Sequence, residues 1–142
     1  MTYYEDCSKC TYFSVEGMDN LLAIGWLEKE YPYEKGEVPR DFYRKLKKLF
    51  QRPWQPVAFC GPHFCSFCQF DQAGGTQNLF VPYDGNIYVA PSLIVHYIAC
   101  HYYKPPDVFI EAVMACPPIK SIAYKKALLA NGGRPLVRMS EM

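Results

Sequence analysis

Residues 60–68 read CGPHFCSFC, so three of the chain's seven cysteines and one of its three histidines fall within nine residues. Donors this soft and this close together constrain the fold, because a metal taken up here needs further ligands brought in from elsewhere in the chain. Cys65-x2-Cys68 has the spacing of a zinc-binding turn. Downstream stand two β-prone runs and then a helical pattern carrying His96 and His101, an H-x4-H pair. The order of turn, hairpin and helix is that of a treble-clef-like zinc module. Residues five apart on an ideal helix point about 140° from one another, so the helix must tighten or end near His101. Pro105-Pro106 makes an end there reasonable.

Other ligand sets compete. His96 and Cys100 stand at i and i+4, on one helical face. His63 lies two residues before Cys65, where it could replace a helix histidine or support a ligand from behind. Cys7-x2-Cys10 is a second turn of the same spacing and would complete a four-cysteine site with Cys65 and Cys68. Against all of these stands the plain alternative of buried thiols and satisfied histidines, which is the reading adopted for Cys100 and Cys116.

With 142 residues, half of them apolar and including 12 Tyr and 9 Phe, the chain can bury one core. A single domain over residues 1–142 is expected, with a loose tail from about Arg134. Lys and Arg total 15 against 14 Asp and Glu, for a net charge of +1, so no global field draws in nucleic acid or an anionic membrane. Arg40, Arg44, Lys45, Lys47, Lys48 and Arg52 do cluster locally, which keeps a nucleic-acid-binding module open as an alternative to a solvated helix face. The first residues lack an apolar leader, and the run SLIVHYIACHYY is too short for a membrane span. A cytoplasmic, non-membrane protein with reduced thiols is expected, and there seven cysteines fit metal binding better than a disulfide framework.

Leu21 to Leu27 form an apolar run that could be a buried strand. Arg40 to Gln51 carry Phe42, Leu46, Leu49 and Phe50 at helical spacing. Asn78–Tyr83 and Asn86–Val89, joined by Asp84-Gly85, predict a β-hairpin with Pro82 on an exposed edge. Ala90-Pro91-Ser92 opens a helix with Leu93, Ile94, Tyr97 and Ile98 inward. Two more helices are expected, from about Asp107 to Cys116 and from Ser121 to Ala130, the latter stopped by Asn131-Gly132-Gly133.

Three blocks of this sequence, Gly25-Trp26-Leu27, Gly61-Pro62-His63-Phe64-Cys65-Ser66-Phe67-Cys68 and the stretch from Ala90 through His96, His101 and Pro105-Pro106 to Val113, resemble an uncharacterised bacterial family of small proteins. The resemblance implies His63, Cys65, Cys68, His96 and His101 as the motif positions. It does not carry Cys7, Cys10, Cys60 or Cys100, and it brings no known activity.

Sequence signals for catalysis are weak. The H-x-E of zinc deaminases, H-E-x-x-H, G-x-S-x-G and phosphate-binding glycine loops do not occur, and a Cys60–His63 nucleophile pair rests on sequence proximity alone. The expectation is an α+β domain, a small β-hairpin or sheet with three to four helices around one structural Zn2+. It is read as a non-enzymatic binding protein with a protein partner. The alternatives are a small zinc-dependent enzyme and a nucleic-acid-binding module.

Overall fold

The computed structural model describes residues 3–13, 15–56, 62–68 and 73–141. Its centre is a three-stranded mixed sheet of β1 (Leu21–Ala23), β4 (Asn78–Tyr83) and β5 (Asn86–Pro91) in the order β1-β5-β4. β2 (His63–Phe64) and β3 (Gly74–Gly75) form a separate two-stranded ribbon. Among the described residues five helices complete the fold: α1 (Arg40–Leu49), α2 (Leu93–His101), α3 (Asp107–Ala115), α4 (Ile122–Ala130) and α5 (Arg134–Ser140).

The β4–β5 hairpin forms where Asp84-Gly85 allows it: Asp84 has φ 48° and Gly85 φ 85°, the two positive values that a tight turn of this hand requires. Leu79 to Val81 and Ile87 to Ala90 are buried without alternation, so both faces of the hairpin are covered. Tyr88 meets Phe109 of α3, which in turn meets Phe42 of α1. Phe80, opposite Val89 in the register and so on the other face, packs against Phe13 and Trp54.

β1 pairs in parallel with β5, Leu22 opposite Tyr88, and the strand ends sooner than the apolar run suggests. Gly25 turns the chain with φ 76°, and its amide donates to the Asp6 carboxylate at 3.0 Å. Trp26 then enters the core, fully buried, with its indole N–H donating to the Val89 carbonyl at 3.0 Å.

Three expectations need correction. Pro82 does lie on an edge strand, but it is buried, because α3 and α4 pack on β4. Pro91 closes β5, so the following helix starts only at Leu93. The tail from Arg134 is a fifth helix: Pro135 suits a first helical turn, and Leu136 and Val137 are buried. No helix among the described residues is long and apolar enough to cross a membrane.

A Cβ at Gly25 would sit 2.8 Å from the Ile94 side chain, whereas one at Gly85 would meet nothing within 4 Å. Both glycines have positive φ, so Gly85→Ala carries only the left-handed backbone cost of about 1–2 kcal/mol. Gly25→Ala adds overpacking of about 1–3 kcal/mol. Urea unfolding should therefore rank Gly25→Ala clearly below Gly85→Ala; equal losses would contradict this packing.

Candidate metal centre

Two separate parts of the chain build the site. The β2–β3 ribbon presents Cys65 and Cys68 on the turn that leaves β2, and the Cys65 amide is fixed by donation to the Ala73 carbonyl at 2.8 Å. The Lys29 amide donates to Ser66 Oγ at 3.0 Å and ties the turn to the segment after Trp26. On the other side, Gly75 passes so close to Ser92 that any side chain there would overlap its hydroxyl. This approach sets the ribbon beside the first turn of α2, the helix that carries His96 and His101.

α2 ends immediately after His101. Tyr102 adopts a left-handed conformation, φ 56° and ψ 26°, and its amide donates to the Tyr97 carbonyl. The Tyr103 amide donates to the same carbonyl at 3.2 Å. Both bonds are helix-closing contacts made just after His101. The helix thus ends at the expected place, with His101 as its last residue.

The imidazole tips nevertheless meet, with His96 Nε2 and His101 Nε2 3.2 Å apart. Cys68 Sγ is 3.3 Å from His96 Nε2 and 3.6 Å from His101 Nε2, and Cys65 Sγ is 3.4 Å from His101 Nε2. All four donor atoms lie within 4.8 Å of one another. His101 Nε2 thus has three close neighbours in different directions. An imidazole nitrogen offers one lone pair or one N–H, in the ring plane, so hydrogen bonding cannot satisfy all three contacts. A cation at their common centre can, and this Cys2His2 group could hold a metal ion.

Burial raises the pKa of the Cys65 thiol, partly offset by the Phe67 amide. It lowers that of His101, with His96 adding to the effect. The first shift favours the thiol, and a bound dication reverses it by taking the place of the proton. The second keeps the imidazole neutral, the form that ligates.

The remaining sequence candidates lie outside the group. His63 is buried between the rings of Tyr12 and Trp26, at centroid distances of 5.5 and 5.3 Å, and burial lowers its pKa. Cys7 and Cys10 form no cluster with Cys65 and Cys68. Cys7 is exposed, whereas Cys10 is buried with its thiol raised to about 11 by desolvation. Cys100 is exposed and Cys116 buried; Cys60 lies outside the described residues.

A model of the domain of unknown function DUF7919 matches residues 2–114. The chain belongs to this family. The matched span contains all four clustered donors and stops within α3, leaving α4 and α5 beyond it. No curated protein and no solved structure matches the chain.

Supporting residues were hidden from sequence reading because they act through backbone atoms and ring faces. The Tyr33 hydroxyl donates to the His101 carbonyl at 2.7 Å. Phe67 sits inside the Cys-x2-Cys turn and contacts the rings of Tyr97, His101 and Tyr33. Tyr103, fully buried, donates its hydroxyl to the Asp6 carboxylate at 2.8 Å and anchors the chain just past His101. Of these, only Tyr97 carried a signal, as one of the inward positions of the helix pattern that starts after Ser92.

Metal analysis of variants separates the two ways of completing the helix side. Cys100→Ala should keep its metal content and melting temperature, whereas His101→Ala should bind metal at least about tenfold more weakly. The reverse pattern would place Cys100 in the site instead.

Proposed function

We propose that the bound ion is zinc, that its role is structural, and that the domain is a non-enzymatic, cytoplasmic binding module for another protein. The donor spacing carries the metal assignment. Zinc bonds of about 2.3 Å to sulfur and about 2.0–2.1 Å to nitrogen put the S···N edges of a tetrahedron near about 3.6 Å and its N···N edge near about 3.3 Å. Three of the four S···N separations here are 3.3, 3.4 and 3.6 Å, and the N···N separation is 3.2 Å. Two thiolates and two imidazoles also suit zinc better than the hard divalent cations, which take oxygen donors.

Cys65, Cys68, His96 and His101 would fill all four positions, leaving none for a substrate or a water nucleophile. Two thiolates would neutralise the dication, which suits a site where Cys65 is 0% exposed. When bound, zinc would supply a cross-link between the ribbon and α2. With a two-cysteine turn followed by a hairpin and a histidine-bearing helix, the arrangement reads as treble-clef-like. The His-x-Cys-x2-Cys element shared with the bacterial proteins this chain resembles then marks the ribbon half of such a site, with His63 serving the aromatic core. Free thiolate ligands of this kind fit a reducing compartment.

A binding role gains support from the aromatic residues around this cross-link. Phe64, next to Cys65, is 51% exposed, and Tyr102, next to His101, is 54% exposed. Exposed aromatics on a rigidly held scaffold are the groups that dominate protein–protein contacts. A zinc-linked fold that fixes their positions reduces the ordering cost of binding a partner.

X-ray absorption at the zinc edge tests the closed site. A four-coordinate shell of two sulfurs and two nitrogens is expected. A light-atom fifth ligand, or water replacing one protein donor, would favour the small zinc-dependent enzyme instead.

A further inference from the structure

Away from the metal centre, α1 and the linker between α3 and α4 border an open cavity of about 710 Å³. Five cationic side chains line it, Arg44, Lys45, Lys48, Arg52 and Lys120, against the single carboxylate of Asp41. The chain as a whole carries a net charge of only +1, so this concentration is local. Among the described residues Arg44, Lys48, Arg52 and Lys120 form no ion pair. Lys45 alone is engaged, donating to the Met114 carbonyl at 2.7 Å. Beneath the charges the lining is apolar: Leu49, Pro118 and Ile119 contribute, and Leu49 is buried.

We propose that this cavity binds a small organic anion, a carboxylate or phosphate joined to an apolar group. The volume falls within the range of small-molecule sites, about 300–1,000 Å³. The unpaired cations complement the anionic end, and guanidinium groups such as those of Arg44 and Arg52 suit oxyanions through paired N–H donors. The apolar floor complements the remainder of the ligand. Nucleic acid fits less well, because among the described residues no Tyr, Phe or Trp lines the cavity to stack on bases. Four of the eleven lining residues, Cys116, Pro118, Ile119 and Lys120, lie beyond the family-matched span of residues 2–114. The site is thus a property of this chain's own C-terminal part as well as of α1.

Fluorescence titration of the full chain with anilinonaphthalene sulfonate, an anion on an apolar ring system, tests the proposal. Uncharged phenylnaphthylamine serves as its counterpart. Saturable one-site binding of the sulfonate is expected, with the uncharged compound at least about tenfold weaker. Lys48→Glu/Arg52→Glu, at two exposed positions, should weaken the sulfonate at least about tenfold while metal content and near-ultraviolet circular dichroism stay unchanged. Ile119→Trp, which fills the cavity without altering charge, should weaken it as well. Equal affinity for both compounds, or unchanged affinity in the double variant, would overturn the proposal. So would a mixed-sequence oligonucleotide that displaces the dye from wild type and from Ile119→Trp alike, which would make this an open basic face for nucleic acid.

Discussion

The Tyr97 carbonyl is the acceptor that ends the helix carrying both histidines of the metal centre. By taking the amides of Tyr102 and Tyr103, it closes α2 directly after His101. The two imidazoles then meet at their tips, Nε2 to Nε2 at 3.2 Å, although an ideal helix points the two positions apart. A non-glycine residue pays for the left-handed conformation at Tyr102, so something must hold the turn in place. The structure supplies two restraints. Tyr103 is buried with its hydroxyl on Asp6, and Tyr33 donates to the His101 carbonyl. A metal ion on His96 and His101 would add a third.

The same few contacts join the centre to the core. Asp6 accepts from Gly25 on one oxygen and from Tyr103 on the other, so the N-terminal segment, the end of β1 and the end of α2 meet at one carboxylate. Burial raises the pKa of that carboxylate while the Gly25 and Tyr103 donors oppose the rise. Trp26 reaches β5 through the Val89 carbonyl and packs on His63 at the start of the ribbon. Zinc coordination in such a frame would stiffen an assembly that the aromatic core already positions, and the ribbon, with only two residues per strand, has most to gain from it.

Local chemistry was the most legible part of the sequence. The β4–β5 hairpin followed from Asp84-Gly85 between two β-prone runs. α1, α3 and α4 followed from apolar spacing bounded by Pro39, Pro106 and Ser121, the last capping α4 through its hydroxyl. The parallel pairing of Leu21–Ala23 with β5 was not legible, since it joins residues more than sixty positions apart with no local turn to announce it. The ribbon is too short for a periodic signal, and α5 is a single buried pair, Leu136 and Val137, behind a proline. In the site, Cys65, Cys68, His96 and His101 were legible as candidates from spacing. His63 was indistinguishable from them, because its separation from the group depends on Tyr12 and Trp26, which lie far away in sequence. The preference for His101 over Cys100 came from the family resemblance and the Pro105-Pro106 stop, since helical spacing alone favours Cys100 as the partner of His96.

Elemental analysis of the chain purified without added metal is the most direct test that the four-donor cluster is a zinc site. About one zinc per chain is expected, falling to a trace in Cys65→Ser and Cys68→Ser, with a marked drop in melting temperature in both. Wild-type protein that is folded and free of zinc, or cysteine variants that keep both their zinc and their melting temperature, would contradict the assignment.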